Sequence, residues 1–140
     1  MPDQAPDQLK GKKILVVEDE LYLRELYVEI LKEEGFDVAD AADGQKAYEE
    51  IGKGGFDLIL LDIMLPKMDG LTILKMIREN PPVNPNKAIV MLTNLGHDSS
   101  ISEAISLGAR GYMIKSDYTP EELIKEVRHY LTEAPPTAAN

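Results

Sequence analysis

The chain has 140 residues, no cysteine and a formal net charge of −10, which suits one domain and excludes disulfides, thiolate metal sites and cysteine nucleophiles. The acidic balance argues against direct binding to nucleic acid, because nucleic-acid phosphates attract basic surfaces. No apolar run approaches the roughly 20 residues of a membrane span and no N-terminal secretory signal is visible, so a cytoplasmic protein without membrane contact is expected.

Polar, proline-bearing segments at residues 1–10 and 133–140 predict flexible tails around one domain at residues 11–132. Between the tails, short apolar runs alternate with longer segments whose apolar residues recur at helical spacing. In chain order, the predicted elements are strand KILVV, helix LYLRELYVEILKEEG, strand FDVADA, helix DGQKAYEEIGKGG, strand FDLILLD, helix DGLTILKMIREN, strand KAIVMLT, helix HDSSISEAISLG, strand GYMIK and helix TPEELIKEVRHYL.

Three of the predicted helices carry specific local signals. Apolar residues recur at helical spacing in the first helix, at Leu23, Leu26, Tyr27, Ile30 and Leu31, and Ile101, Ala104 and Ile105 lie on one side of the fourth. The last helix begins with a capping box, in which Thr119 is the N-cap, Pro120 suits the first turn and Glu122 completes the box.

Strict alternation of five strands and five helices predicts an α/β fold, with a parallel sheet covered by helices on both faces. Strands buried on both faces are continuously apolar, as are the runs at residues 14–17, 58–61 and 88–92. The alternating run at 36–40 and the short run at 111–114 suit edge strands. These assignments predict a flavodoxin-like, doubly wound sheet of order 2-1-3-4-5, with a switch point between strands 1 and 3.

Polar groups follow the predicted strands directly, at the sheet edge where ligands bind in open α/β folds. In strand order, these groups are Glu18-Asp19-Glu20, Asp62, Thr93-Asn94 and Lys115-Ser116. Crowded carboxylates repel one another, and Mg²⁺ relieves the repulsion through the oxygen ligands that it prefers. A phosphoryl group would then supply an anion for Thr93 and Lys115, and Asp62 could receive it, since carboxylates form acyl phosphates.

Each polar group also has a simpler interpretation. The acids at residues 18–20 precede a helix, where capping and the helix dipole favour negative charge. Asp62 would suit a turn ahead of Pro66, and Thr93 and Lys115 are ordinary residues at strand ends. The functional interpretation therefore depends on all of these groups meeting at one edge of the sheet.

The segments ILVVEDE, LILLDIMLPKMDG, IVMLTN and GARGYMIK resemble those of bacterial two-component response regulator receiver domains, and the resemblance runs from about residue 13 to about residue 131. It implies that Asp62 is the phosphoacceptor. For the other site residues, it implies direct Mg²⁺ binding by Asp19, Asp62 and the Met64 backbone carbonyl, an indirect contact through water by Glu18, and phosphoryl contacts by Thr93 and Lys115.

The resemblance also implies a signalling role. Tyr112 matches the aromatic switch position, which moves inward when Thr93 is drawn to the phosphoryl group and alters the surface of helix 4, strand 5 and helix 5. The implied partners are a sensor histidine kinase or phosphotransfer protein and a downstream effector, and homodimerisation on phosphorylation is left open. The chain would catalyse its own phosphorylation and dephosphorylation without turning over a separate substrate.

Two features around the implied site are particular to this chain. Ser116 stands where the family usually has a proline, often with a cis peptide bond, and a cis bond before a non-proline residue costs about 2.5–4 kcal/mol. A trans bond would shift the loop that holds Lys115. Met64 and Leu95 flank the expected phosphoryl site, and such bulky groups would hinder an attacking water and lengthen the lifetime of the phosphorylated state.

Several alternatives remain open at this point. The chain could be a phosphorelay intermediate, a receiver from a larger DNA-binding regulator, or a receiver that docks without phosphorylation. A Mg²⁺-dependent aspartyl-phosphate hydrolase usually has a second aspartate two residues after the nucleophile, but here Met64 occupies that position. A flavin or nucleotide module would need a glycine-rich turn after the first strand, where the sequence reads VEDELY.

Overall fold

The computed structural model describes residues 7–94, 98–115 and 118–132. Within these residues the strands are β1 (Lys13–Val17), β2 (Asp37–Ala41), β3 (Leu58–Asp62), β4 (Ile89–Thr93) and β5 (Gly111–Ile114). The helices are α1 (Leu21–Glu33), α2 (Gly44–Lys53), α3 (Gly70–Glu79), α4 (Asp98–Ser106) and α5 (Pro120–Thr132). The predicted alternation of strands and helices is therefore confirmed.

The five strands form one parallel sheet of order β2-β1-β3-β4-β5, as predicted. All five residues of β3 are buried, since this strand lies at the centre and has helices on both faces. One apolar cluster joins the sheet to residues of α2, α3 and α4, and a second joins it to residues of α1 and α5. The continuous apolar runs thus identified the central strands, as the burial of parallel sheets requires.

The helices begin at residues that satisfy free backbone N–H groups. Carboxylates of Glu20, Asp43 and Asp69 accept hydrogen bonds from N–H groups in the first turns of α1, α2 and α3. The predicted capping box of α5 is confirmed, because the Glu122 N–H donates to Thr119 Oγ1 at 3.1 Å and the Thr119 N–H donates to Glu122 Oε1 at 2.8 Å.

Two of the apolar residues that mark the helical spacing of α1 and α4 are exposed. Leu26 in α1 is 39% exposed and Ile105 in α4 is 44% exposed. Their neighbours Tyr27 and Ala104 are buried against the sheet. Successive helix positions differ by about 100° in direction, so each exposed residue lies one position away from the buried face of its helix.

Residues 7–10 form a turn that packs onto the domain, although the sequence assigns them to a tail. Leu9 packs against the cluster under α1 and α5, and Arg128 of α5 contacts the Asp7 carboxylate at 2.8 Å. The predicted boundary at residue 11 thus leaves out residues that contact the core, while the predicted tail at 133–140 lies outside the described residues. Each helix among the described residues is too short or too polar to span a bilayer.

Candidate functional site

Two central strands deliver carboxylates to the same edge of the sheet. Val17 at the end of β1 pairs with Leu61 of β3, so the next residues, Glu18 and Asp62, lie side by side. Glu18 is fully buried, Asp62 is 1% exposed and Asp19 is exposed. One carboxylate oxygen from each of the three lies within 4.8 Å of the others. The apolar run of β3 thus carries a carboxylate into a buried position at the switch point of the sheet.

Lys115 brings a positive charge to these acids from the end of β5. Its Nζ atom donates to Oδ2 of Asp62 at 2.5 Å and lies 2.9 Å from Oε1 of Glu18. The lysine side chain is 11% exposed. An ammonium group shared by two buried carboxylates offsets part of the cost of removing their charges from water.

Backbone N–H groups satisfy one oxygen of each buried carboxylate. The Met64 N–H donates to Oδ1 of Asp62 at 3.1 Å, and the Glu20 N–H donates to Oε2 of Glu18 at 3.0 Å. The other oxygen of Glu18, Oε1, accepts no hydrogen bond from the described residues. The Lys115 ammonium lies 2.9 Å from this oxygen and forms an ion pair with it.

The surroundings of Asp62 raise the pKa of its carboxyl group. Burial raises the pKa of Asp62 to about 6 and the Glu18 carboxylate adds to the rise, although Lys115 and the Met64 N–H lower it. Burial lowers the pKa of Lys115, but the Asp62 and Glu18 carboxylates outweigh this effect and the net shift is upward. The lysine therefore stays charged, and Asp62 is mostly ionised above about pH 7.

Thr93 ends β4, between the strands that lead to Asp62 and Lys115. Its side chain is buried, and its hydroxyl donates to the Asn94 carbonyl at 2.9 Å. Its own carbonyl accepts a hydrogen bond from the Lys115 N–H at 2.8 Å. Tyr112, the predicted switch residue, lies on β5 opposite Met91 and is 46% exposed.

The segment after Asp62 is held close to the strand by a glycine whose role the sequence analysis missed. The Gly70 N–H donates to the Ile63 carbonyl at 2.8 Å. A Cβ atom at Gly70 would lie 2.5 Å from the carbonyl oxygen of Asp62, so a larger residue would push the loop away. The Asp69-Gly70 pair was visible in the sequence, but the backbone that it approaches was not.

Arg24 was also missed, because an arginine inside a helical pattern carries no local signal of a contact with another strand. Its guanidinium donates to the Glu18 carbonyl at 2.8 Å and to the Asp40 carboxylate at 3.1 Å. It therefore joins the end of β1 to the end of β2.

Three features from the sequence analysis need separate comment. The side chain of Met64 is 60% exposed, and its N–H contacts Asp62. Leu95 and Ser116, and therefore the Lys115–Ser116 peptide bond, lie outside the described residues. The expected effects of these groups remain predictions.

The three carboxylates are suitable ligands for a hard divalent cation. Oxygen is the ligand atom that Mg²⁺ prefers, and one or two carboxylates with water suffice to bind it. Oε1 of Glu18 is buried and pairs with the Lys115 ammonium at 2.9 Å, and the exposed Asp19 leaves the group open to solvent. Glu18, Asp19 and Asp62 could therefore hold a metal ion.

An open groove of about 580 Å³ leads to this site beside α1. Its polar lining residues include Glu18, Asp19 and Lys115, and aromatic and aliphatic side chains form the rest of its wall. Of these wall residues, Tyr22 is 74% exposed and Leu26 is 39% exposed. Glu18, Asp19 and Lys115 thus border an open groove with a partly apolar wall, whereas Asp62 does not line it.

Comparisons with known proteins agree with this arrangement. Residues 14–128 match the response regulator receiver domain family. The transcriptional regulatory protein SrrA of Staphylococcus aureus is 35% identical over 121 residues, which are 86% of this chain and 48% of SrrA. This chain therefore spans about half the length of the curated relatives that it matches.

Solved structures of the same fold include a CheY-like receiver domain protein from Methanospirillum hungatei, at 27% identity and a TM-score of 0.76 over 87% of this chain and 94% of that one. Chemotaxis protein CheY4 of Vibrio cholerae is 29% identical, with a TM-score of 0.73 over 86% of this chain and 98% of that one. The buried acid pair, the order of the sheet and these similarities agree, and the chain belongs to the response regulator receiver domain family.

Proposed function

We propose that this receiver domain is a phosphoacceptor switch in which Asp62 receives a phosphoryl group from a histidine kinase, a phosphotransfer protein or a small phosphodonor. The observation that carries the proposal is the buried Asp62 carboxylate, which contacts Lys115 at 2.5 Å and lies with two further carboxylates within 4.8 Å. Perturbed carboxylates beside a fixed cation are typical of reactive sites.

The reaction is nucleophilic attack by Asp62 on phosphorus. An Asp62 carboxylate oxygen forms the new P–O bond while the bond from phosphorus to the donor breaks, and the leaving group keeps the electron pair of that bond. For phosphohistidine the leaving nitrogen takes up a proton, and for acetyl phosphate acetate departs. The attacking group must be ionised, and a pKa of about 6 for Asp62 allows this at neutral pH.

The other site residues would stabilise charge on the phosphoryl oxygens. Glu18, Asp19, Asp62 and the Met64 carbonyl would hold Mg²⁺, with Glu18 acting through water. A bound Mg²⁺ would neutralise charge that develops on these oxygens. Lys115 would pair with one phosphoryl oxygen, and the Thr93 hydroxyl would leave the Asn94 carbonyl, which it contacts at 2.9 Å, to bind another.

The signal would leave through a changed surface. Movement of Thr93 would vacate space for Tyr112, which is 46% exposed in this structure, and would alter the face formed by α4, β5 and α5. A downstream effector or a second copy of the chain would bind this face. Receiver domains act as signalling switches, so the chain would turn over no separate substrate.

Two further roles are compatible with the same chemistry. SrrA is named as a transcriptional regulatory protein, and this chain matches about half of its length. The domain, taken as residues 11–132 with residues 7–10 packed against it, could therefore serve in a longer regulator or pass its phosphoryl group on in a relay. A phosphate hydrolase is disfavoured, because Met64 offers no acid at the second position after Asp62.

The test is phosphate uptake from acetyl phosphate with Mg²⁺, read by intact mass and by acid-stable, base-labile labelling. Wild-type protein is expected to gain one phosphoryl group, and Asp62→Asn is expected to gain none. Asp37→Asn, at an exposed residue that begins β2 at the opposite edge, is the matched control and should behave as wild type. Full labelling of Asp62→Asn would refute the assignment.

Decay of the label gives the lifetime of the phosphorylated state, which we expect to be long because Met64 and Leu95 would hinder an attacking water.

A further inference from the structure

Arg24 joins two strand ends beside the acidic site, although it is not one of the site's acids. Its Nη1 donates to the Glu18 carbonyl oxygen at 2.8 Å, and its Nε donates to Oδ2 of Asp40 at 3.1 Å. The Arg24 side chain is 13% exposed, whereas that of Asp40 is 49% exposed. The contact with the Glu18 carbonyl is therefore the more protected of the two.

This contact fixes the point at which the chain leaves β1. The Glu18 N–H donates to the Ala41 carbonyl of β2 at 3.2 Å, and the Glu18 carbonyl accepts from Arg24. Both backbone polar groups of Glu18 are thus held, so the direction of the peptide that leads to Asp19 is set. Among the described residues no hydrogen bond or ion pair holds the Asp19 carboxylate, so its position depends on this backbone.

We propose that Arg24 is a positioning residue for the metal site, holding the Glu18–Asp19 backbone so that both carboxylates face the cation together with Asp62. The inference rests on the proposed function, because it assumes that these acids bind Mg²⁺. Arg24 itself carries a positive charge and would not touch the ion. It acts through the carbonyl of Glu18.

Removing the Arg24 side chain should change the Mg²⁺ affinity in opposite directions, depending on whether its charge or its positioning of the ligands matters more. A guanidinium near a cation site repels the cation, so its loss would tighten Mg²⁺ binding if charge alone mattered. Loss of a residue that orients the ligands weakens binding, and such partners are commonly worth about 10- to 100-fold in metal affinity. The sign of the change in affinity therefore separates the two effects.

The experiment is calorimetric titration of Mg²⁺ into the full chain, with far-UV circular dichroism and urea unfolding to establish that each variant is folded. Arg24→Met keeps most of the side-chain length and is expected to weaken Mg²⁺ binding by about 10-fold or more. Arg24→Lys keeps the charge and one donor group, and should recover part of the loss. Asp40→Asn removes only the exposed partner and should remain within about 2-fold of wild type.

Arg110→Met is the matched control, because Arg110 also donates to a backbone carbonyl, that of Lys87, away from the acids. Its Mg²⁺ affinity should equal that of wild type. Unchanged or tighter binding in folded Arg24→Met would overturn the positioning role while leaving the proposed function intact. If Arg24→Met does not fold, Arg24→Lys decides, since wild-type affinity in that variant would overturn the inference. Absence of Mg²⁺ binding by wild-type protein would instead overturn both proposals.

Discussion

The ammonium group of Lys115 lies 2.5 Å from Oδ2 of Asp62, although the two residues are 53 positions apart along the chain. β4 lies between the strands that precede them, so the lysine side chain crosses the end of β4. The same ammonium reaches Glu18 at the end of β1, at 2.9 Å. Lys115 therefore places one positive charge between two buried carboxylates and offsets part of the rise that burial causes in the pKa of Asp62.

Replacing Lys115 with methionine should have opposite effects on metal binding and on stability. Mg²⁺ affinity should rise by about 3- to 10-fold, because the ammonium competes with the ion for Glu18 and Asp62. The free energy of unfolding without metal should fall by about 3 kcal/mol, because two buried carboxylates lose their cation. Calorimetric titration and urea unfolding in EDTA measure the two effects.

Lys87→Met is the control for this prediction. Lys87 also contacts an aspartate, Asp57 at 3.2 Å, but its side chain is 69% exposed and it lies outside the acidic site. An exposed pair contributes little to stability, so Lys87→Met should change neither quantity appreciably. Equal Mg²⁺ affinities of wild type and Lys115→Met would show that the ammonium does not compete with the ion.

The raised pKa of Asp62 makes stability depend on pH. The folded protein holds a proton on Asp62 more tightly than the unfolded chain does, since the pKa rises from 3.8 to about 6. The resulting stability is fully present below about pH 3.8 and is lost as the pH rises through about 6. At about 1.4 kcal/mol for each unit of pKa, the loss is on the order of 3 kcal/mol.

Asparagine at position 62 cannot ionise, so Asp62→Asn should be more stable than wild type at pH 8 in EDTA, by up to about 3 kcal/mol. The difference should shrink at pH 5, where wild type holds the proton. Urea unfolding of both proteins at the two pH values measures it, with Asp37→Asn as the control for a surface carboxylate. A variant that is less stable than wild type at pH 8 would contradict the prediction.

Thr93→Val should leave phosphorylation of Asp62 intact but weaken the conformational change that follows it. Valine has nearly the shape of threonine but leaves the Asn94 carbonyl without the hydroxyl at 2.9 Å, which should cost about 1 kcal/mol of stability. Phosphate uptake at Asp62 should persist. The amide signals of Tyr112 and α4, followed by NMR on adding beryllofluoride with Mg²⁺, should shift far less than in wild type. Equal shifts in both proteins would exclude Thr93 from the switch.

Two glycines of α2 should respond in opposite directions to alanine. A Cβ atom at Gly44 would collide with the carbonyl oxygen of Met68 in the loop after β3, whereas nothing lies within 4 Å of a Cβ at Gly52. Gly44→Ala should destabilise the protein by about 1–3 kcal/mol, and Gly52→Ala should stabilise it by about 0.5–1 kcal/mol. Urea unfolding compares the two, and equal midpoints would show that the loop moves freely away from α2.

The sequence predicted most of the fold because its signals are local. The apolar runs that end in Asp62 and Thr93 identify central strands, since only strands covered on both faces are apolar throughout. Once the strand order is known, the residues directly after the strands must share one edge of the sheet. The sequence therefore predicted that Glu18, Asp19 and Asp62 lie together, and one carboxylate oxygen from each is within 4.8 Å of the others.

Other side-chain contacts depend on where separate segments of the chain meet in the folded protein. The periodic pattern of apolar residues does not encode the distances between those segments. Lys115 reaches past β4 to Asp62 and Glu18 because its side chain is long. Arg24 donates to the Glu18 carbonyl because α1 packs beside the ends of β1 and β2. The helical spacing groups Leu26 with the buried Tyr27, but in the folded protein Leu26 is 39% exposed. By itself, the sequence determined the order of the strands and the residues that end them, because burial and chain connectivity fix both. Only the tertiary structure decided which charges touch, because contacts at 2.5–3.1 Å depend on side-chain direction and helix packing.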